Sequence, residues 1–339
     1  METITDTGLN HREIDRIIYS GVKPELLRCA IQLKVFDLLD TPRTYKEVAA
    51  ELQTHPDNTR LMLKGLVACG LVLYQDGTYE NTGESRAFLN SKSQTCITGW
   101  LDRAARVLGP ILNNFETLVR NGPMQHEPGA HMNSEAMCEF YTHAHAQTEL
   151  AGVAAKTAGI IRDLPEFPAM KKMLDLGGGP GLNSVAVVQA HDTLESVVFD
   201  RKSVVAIARE YIERFGCSGR ITTRSGDYTK DDPGTEFDLV LASDTLYYQG
   251  CDLDRIGSRI YNALNPGGVL VGIHGVVTKD RTGPDDMVLS MLPDALMGQG
   301  ELPCEGFLAP SLFRAGFRQV VTRKVPMVSN EMEVDIARK

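Results

Sequence analysis

Apolar residues recur along the chain with two different periods, and the change of period divides it. In the first half the spacing is helical. Residues 24–39 place Leu26, Leu27, Ala30, Leu33 and Phe36 on one stripe, which predicts an amphipathic helix. Thr44 then opens TYKEVAAEL with Glu47 three residues on, the pattern of a capping box. Pro56 starts a third helix that should stop at Gly70. Two short strand runs around Asp76-Gly77 follow, a strong hairpin signal. Helix, helix, helix, hairpin is the order of a winged helix. Farther on, Trp100, Val107, Leu108, Ile111, Phe115 and Leu118 fall near helical spacing, a stripe that suits core or dimer interface before it suits a pocket wall. Residues 121–134 form a loop with Pro and Gly, long enough to be a lid or entrance. Ser134 should cap one more helix, on which Tyr141 and His145 share a face. His143 and His145, two apart, do not, so they make a poor metal pair.

After a linker at residues 164–168 the pattern changes to alternating strands and helices. Strands are expected at 173–176, 196–200, 221–227, 237–243 and 268–276, with helices at 182–190, 203–215 and 252–264. Near-continuous apolar strands separated by helices imply a parallel sheet covered on both faces. The expected domains are therefore 1–165, helical and winged-helix-like, and 166–339, α/β and doubly wound like a Rossmann fold. In open sheets of this kind a ligand sits beyond the carboxyl ends of the strands, where the strand order reverses. Gly177 to Gly181, Asp200, Gly226-Asp227-Tyr228 and Ser243-Asp244 all fall at such ends.

Composition narrows the function classes. A length of 339 residues and 42% hydrophobic content fit roughly two soluble domains. A formal net charge of −9 argues against a surface for nucleic acid or anionic lipid. The third helix offers only Arg60 and Lys64 as cations, so packing and dimerisation are expected of the first domain rather than DNA contact. Seven scattered cysteines with no C-x-x-C pair indicate reduced thiols and no zinc site. With a polar, acidic beginning and no apolar run of spanning length, a cytoplasmic protein is expected.

The stretch Asp175-Leu-Gly177-Gly178-Gly179-Pro-Gly181 joins a strand to a helix. Glycines there permit a sharp turn and close approach of a ligand to backbone N–H groups. No Gly-Lys-Ser/Thr follows, which excludes a phosphate-cradling P-loop. The acids Asp175 and Asp200 instead suit a nucleoside whose ribose hydroxyls need a carboxylate.

DLGGGPG, Asp200, the GDY at 226–228 and ALNPGG at 263–268, behind a winged-helix-like domain, resemble the class I S-adenosylmethionine-dependent small-molecule methyltransferases of the O-methyltransferase type. The resemblance implies S-adenosylmethionine as cofactor and a homodimer built through the first domain. It implies that Gly177, Gly179 and Gly181 approach the methionine part, with Asp175 beside them, and that Asp200 with its neighbour Arg201 holds the ribose. Gly226, Asp227 and Tyr228 would border the adenine and Ser243 the sulfonium side.

One departure from that pattern matters. Such enzymes carry a histidine base in a Leu-His-Asp-Trp segment, which aligns here with Leu246-Tyr247-Tyr248-Gln249. The acid that orients the base aligns with His274. An alcohol needs a base, an effect worth about 10²–10⁴-fold. A thioether has no proton to lose and needs only proximity and alignment. The overall organisation and the missing base resemble the bacterial methylthiohydroxybutyrate S-methyltransferases of dimethylsulfoniopropionate (DMSP) synthesis. Tyr247 and His274 are the expected catalytic residues on this reading. Tyr141, His145, Tyr248 and His274, with Arg103 or Arg106, are candidates for holding the substrate and its carboxylate. Two alternatives stand beside S-methylation: an O-methyltransferase of a phenol or natural-product hydroxyl, with His274 or His145 as a displaced base, and a winged-helix regulator that only senses the cofactor.

Overall fold

The structure, a computed structural model, describes residues 7–123, 135–247, 252–298 and 300–339. It forms two compact units, Met1–Leu101 and Asp102–Lys339. The division thus falls well before the expected boundary at 165/166, because the helices between residues 135 and 162 pack on the second unit's own helices.

In the first unit, α1 (Arg12–Ser20), α2 (Val22–Gln32), α3 (Val35–Leu38), α4 (Tyr45–Leu52) and α5 (Pro56–Ala68) precede a hairpin of β1 (Val72–Gln75) and β2 (Thr78–Asn81), followed by α6 (Gly83–Phe88). The single helix expected over 24–39 is broken. Lys34 adopts a left-handed conformation (φ 56°), which ends α2 and restarts the chain as α3. The break lets Val35, Phe36 and Leu39 turn into one core with Val48, Leu63 and Leu66. Leu61 of α5 stays exposed, so that helix buries a narrower face than its composition suggests. The capping box is present: the Glu47 N–H donates to Thr44 Oγ1 (3.3 Å), and the Thr44 N–H donates to Glu47 Oε2 (2.7 Å). Asp76 and Gly77 close the hairpin with positive φ at both positions. The remaining sequence before the sheet holds α7 (Thr98–Asn113), α8 (Phe115–Asn121), α9 (Glu135–Thr148) and α10 (Ala154–Arg162). Ser134 lies outside the described residues, and so do the side chains of Arg103 and Arg106.

The second unit is built on β3 (Lys172–Leu176), α11 (Leu182–Gln189), β4 (Glu195–Asp200), α12 (Lys202–Arg214), β5 (Ile221–Ser225), β6 (Phe237–Ser243), α13 (Leu253–Ala263) and β7 (Leu264–His274). It ends with α14 (Asp285–Leu296), α15 (Ala309–Ala315), β8 (Gln319–Pro326) and β9 (Glu331–Arg338). The sheet order is β5-β4-β3-β6-β7-β9-β8. The first five strands are parallel, as expected, but β9 pairs antiparallel with both β7 and β8. The sheet is therefore mixed. β8 alternates no apolar face and lies exposed at the edge, so its sequence carried no core signal. Apolar layers cover both faces: Val269, Val271 and Ile273 of β7 enter one, Leu270 the other. Among the described residues, no helix is long and apolar enough to cross a membrane.

Strand order reverses between β3 and β6, each of which is followed by a loop at the same sheet edge. That edge is the candidate site.

Candidate functional site

The turn after β3 is shaped by three left-handed glycines, Gly177 (φ 68°), Gly179 (φ 52°) and Gly181 (φ 76°). A side chain at Gly177 would collide with Thr245, whose Cγ2 lies 2.6 Å from the position of a Cβ. At Gly179 the corresponding space is open, so a ligand can approach the backbone there. Asp200, at the end of β4, accepts the N–H of Gly179 (2.9 Å) on Oδ2 and that of Arg201 (2.7 Å) on Oδ1. The acid thus fixes the turn as well as facing the edge. Burial raises its pKa, and the two N–H groups act against that rise. The Arg201 side chain is exposed.

Farther along the edge, Gly226 leaves no room for a side chain, because a Cβ would stand 2.3 Å from the ring of buried Phe199. Asp227 accepts the N–H (2.9 Å) and hydroxyl (2.6 Å) of Thr229 and pairs with Lys230 at 3.2 Å. Burial pushes this carboxyl up, but Thr229 and Lys230 outweigh it and its pKa lies below the usual value. The Tyr228 hydroxyl donates to the Thr245 carbonyl (2.8 Å), tying the β5 end to the β6 end. Thr245 in turn donates to the carbonyls of Leu176 (3.1 Å) and Ser243 (2.8 Å). These bonds place the ends of β3, β5 and β6, with half-buried Ser243, in one frame.

Three carboxylates near the glycine turn interact electrostatically. Asp175 is buried and accepts the Ser184 hydroxyl (2.7 Å), and burial pushes its carboxyl up to about 6. Asp244 has positive φ (49°), and its N–H donates to the Ile273 carbonyl (2.8 Å). It keeps accessible surface although protein closes around it, and that crowding pushes its carboxyl up to about 6. Glu149 opens the segment Glu149–Val153 between α9 and α10, which is kinked at Gly152 (φ 124°). The backbone N–H groups of Asn183 and Leu182 at the start of α11 act on it favourably. Burial and then the charge of Asp175 nevertheless hold its pKa well above the usual value, with Asp244 adding to the effect. Asp244 was expected at this edge beside Ser243, without a role of its own, whereas Glu149 was not among the expected residues. Glu149 carries no motif, and its approach to the turn depends on a helix break at Gly152 that the apolar spacing does not mark.

On the acceptor side, Tyr247 is half-buried and meets the ring of His274 edge-on at 6.3 Å. His274 is fully buried, with Phe307 edge-on at 5.5 Å, and neither ring nitrogen has a hydrogen-bond partner among the described residues. Burial lowers its pKa to about 3. A ring so weakly basic and so enclosed is a poor proton acceptor at neutral pH, which counts against the expectation of His274 as a displaced base or substrate ligand. Tyr141 is half-buried beside Phe140 on α9, and His145 of the same helix is exposed. Tyr248 lies outside the described residues. Among the described residues no group of three His, Cys, Asp or Glu side chains is placed to hold a metal.

Two family models match the chain. Residues 16–91 fit the O-methyltransferase dimerisation domain and residues 129–318 the O-methyltransferase domain. An L-tyrosine C(3)-methyltransferase of Streptomyces lavendulae is 24% identical, over 91% of this chain and 87% of its own length. An N,N-dimethyltransferase of Streptomyces rimosus is 27% identical over 80% of each chain. The crystal structure of human N-acetylserotonin methyltransferase with S-adenosylmethionine superposes with a TM-score of 0.79, at 24% identity, covering 100% of this chain and 99% of that one.

Proposed function

The chain belongs to the O-methyltransferase family, and from that premise we propose that it methylates an acceptor with no proton to lose, a small thioether acid such as 4-methylthio-2-hydroxybutyrate. Its membership makes it an S-adenosylmethionine-dependent methyltransferase rather than a regulator. The family leaves the acceptor atom open, since its model is described by O-methylation while the relatives named above include a C- and an N-methyltransferase. The observation that carries the S-methyl reading is the absence of a competent base where the family's base and its orienting acid align. Tyr247 occupies the first place, and buried His274, titrating near 3, the second.

The residues at the strand ends suit the cofactor. The open approach at Gly179 admits backbone contact, and Asp200 retains lone pairs for ribose hydroxyls beyond the two N–H bonds it accepts. Asp227 and Tyr228 would border the adenine, and Ser243 the sulfonium side. Bound S-adenosylmethionine supplies an electrophilic methyl group on a positively charged sulfur. Carboxylates with raised pKa and no described cation beside them favour such a ligand. The face of Tyr247 stabilises a sulfonium by about 0.5–2 kcal/mol, for cofactor and product alike. Tyr141, His145, Tyr248, Arg103 and Arg106 remain the candidates for the acceptor's carboxylate. In the first unit, the dimerisation-domain match and the exposed Ile14, Ile17, Ile18 and Tyr19 of α1 support a homodimer.

O-methylation is the second reading, favoured by the family's description and by the N-acetylserotonin enzyme's likeness in fold. It needs a base, and exposed His145 is then the candidate. Mass spectrometry of reactions with 4-methylthio-2-hydroxybutyrate, methionine and a catechol panel separates the two. A dimethylsulfonium product from the hydroxy acid is expected. Methylated catechol with no sulfonium product would overturn the S-methyl reading.

A further inference from the structure

Glu149 combines three features that a plain helix residue does not need. It sits at the break between α9 and α10, in the segment Glu149–Val153 where Gly152 leaves helical geometry (φ 124°) and kinks the chain. Its Oε2 is sealed from solvent and meets no hydrogen-bond donor among the described residues. It also shares its surroundings with two further carboxylates, Asp175 from the end of β3 and Asp244 from the end of β6. Three elements therefore deliver acids to the space near the glycine turn, and no ion pair to Glu149 exists among the described residues. A buried carboxyl oxygen without a partner is costly, the more so when charged. A helix-capping role accounts for one side of the carboxyl, which faces the N–H groups of Leu182 and Asn183. It leaves Oε2 unexplained.

We propose that Glu149 is a cofactor-binding residue whose free oxygen receives the α-ammonium of the amino-acid arm of S-adenosylmethionine. The proposal rests on the placement of the methionine end at the Gly177–Gly181 turn, and it is independent of the acceptor. A primary ammonium fits the chemistry better than a second metal-like charge, because it brings three donors to one acid-lined space. Asp175, already engaged by Ser184, and Asp244 complete the negative surroundings.

The test is calorimetric binding, without turnover, of three ligands to the wild type and to Glu149→Gln. S-adenosylmethionine and S-adenosylhomocysteine both carry the ammonium, and 5′-methylthioadenosine lacks the whole amino-acid arm. The amide of Glu149→Gln keeps an acceptor for the α11 N–H groups but loses the charge. Loss of one charge-assisted hydrogen bond should weaken both amino-acid ligands by about tenfold or more, and methylthioadenosine by less than about twofold. Equal affinities for all three ligands in wild type and variant would overturn the proposal, as would equal weakening of all three, or weakening of S-adenosylmethionine alone. If Glu149→Gln does not fold, Glu149→Asp answers the question, since drawing the charge back by one methylene must still lower the preference for S-adenosylhomocysteine over methylthioadenosine. An unchanged preference there would sink the idea, while the S-methyl reading would stand or fall on its own assay.

Discussion

Replacing His274 by Phe tests the site through stability as well as rate. The ring is fully buried, both nitrogens lack partners among the described residues, and its pKa is lowered to about 3 from an ordinary 6.5. Because the folded pKa lies below the unfolded one, the unfolded chain binds a proton between those values and the folded protein does not. The wild type therefore loses stability from this residue as pH falls below 6.5, and the loss stops only near the folded value. From pH 7.5 to 5.0 the loss is about 2 kcal/mol, from roughly 1.36 kcal/mol per pH unit once the unfolded group is mostly protonated. Asp175 and Asp244 act with the opposite sign. Their folded pKa values are raised, so folding takes up protons and gains stability as pH falls through about 6 toward the unfolded value. Raw pH profiles mix these effects, but the difference between wild type and His274→Phe at matched protein concentration cancels the carboxylates. Urea unfolding at both pH values should show the variant gaining about 2 kcal/mol on the wild type at the lower one. At neutral pH the variant should be no less stable, since it removes two unsatisfied nitrogens worth about 1–3 kcal/mol each against a modest increase in bulk. Parallel profiles would refute the buried neutral imidazole. Methyl transfer should survive the substitution, and a fall of about 10²-fold or more would restore the histidine to the chemistry.

Other expectations follow from single contacts. Asp200→Asn, which keeps shape but weakens acceptance from Gly179 and Arg201, should raise the dissociation constant for S-adenosylmethionine by about tenfold or more, read by calorimetry. Gly177→Ala combines a left-handed backbone with a Cβ 2.6 Å from Thr245 Cγ2, so thermal unfolding should show a loss of about 2–4 kcal/mol. A wild-type melting curve would mean the turn is more adaptable than its geometry implies. Tyr247→Phe keeps the ring face and should retain most of the rate on a thioether acid; collapse of turnover would make the hydroxyl a participant. Ile17→Glu, at a position 73% exposed on α1, should weaken self-association in sedimentation velocity without unfolding the subunit.

Much of the architecture could be read from spacing alone. Apolar period separates the helical first part from the alternating second, and a box such as Thr44/Glu47 or a turn such as Asp76-Gly77 acts within four residues of chain. Local rules reach that far. The break at Lys34 was not legible, because a lysine enters the left-handed region only when the core rewards the turn. Nor was the antiparallel β8–β9 pair, since an exposed edge strand carries little alternation.

By itself the sequence determined that a glycine turn and acids at successive strand ends would share one sheet edge, since parallel βαβ connections put every such loop on the same side. Tertiary structure decided what those residues are electrically. Asp227 and Asp244 are the same side chain at similar strand ends, yet one lies below its usual pKa and the other near 6, because Thr229 and Lys230 face the first while protein closes around the second. Only the fold made His274 a buried, uncharged ring, and only the fold brought Glu149 from a helix break to the neighbourhood of the glycine loop. Burial and charge proximity depend on neighbours distant in the chain, and one sequence read in order does not contain them.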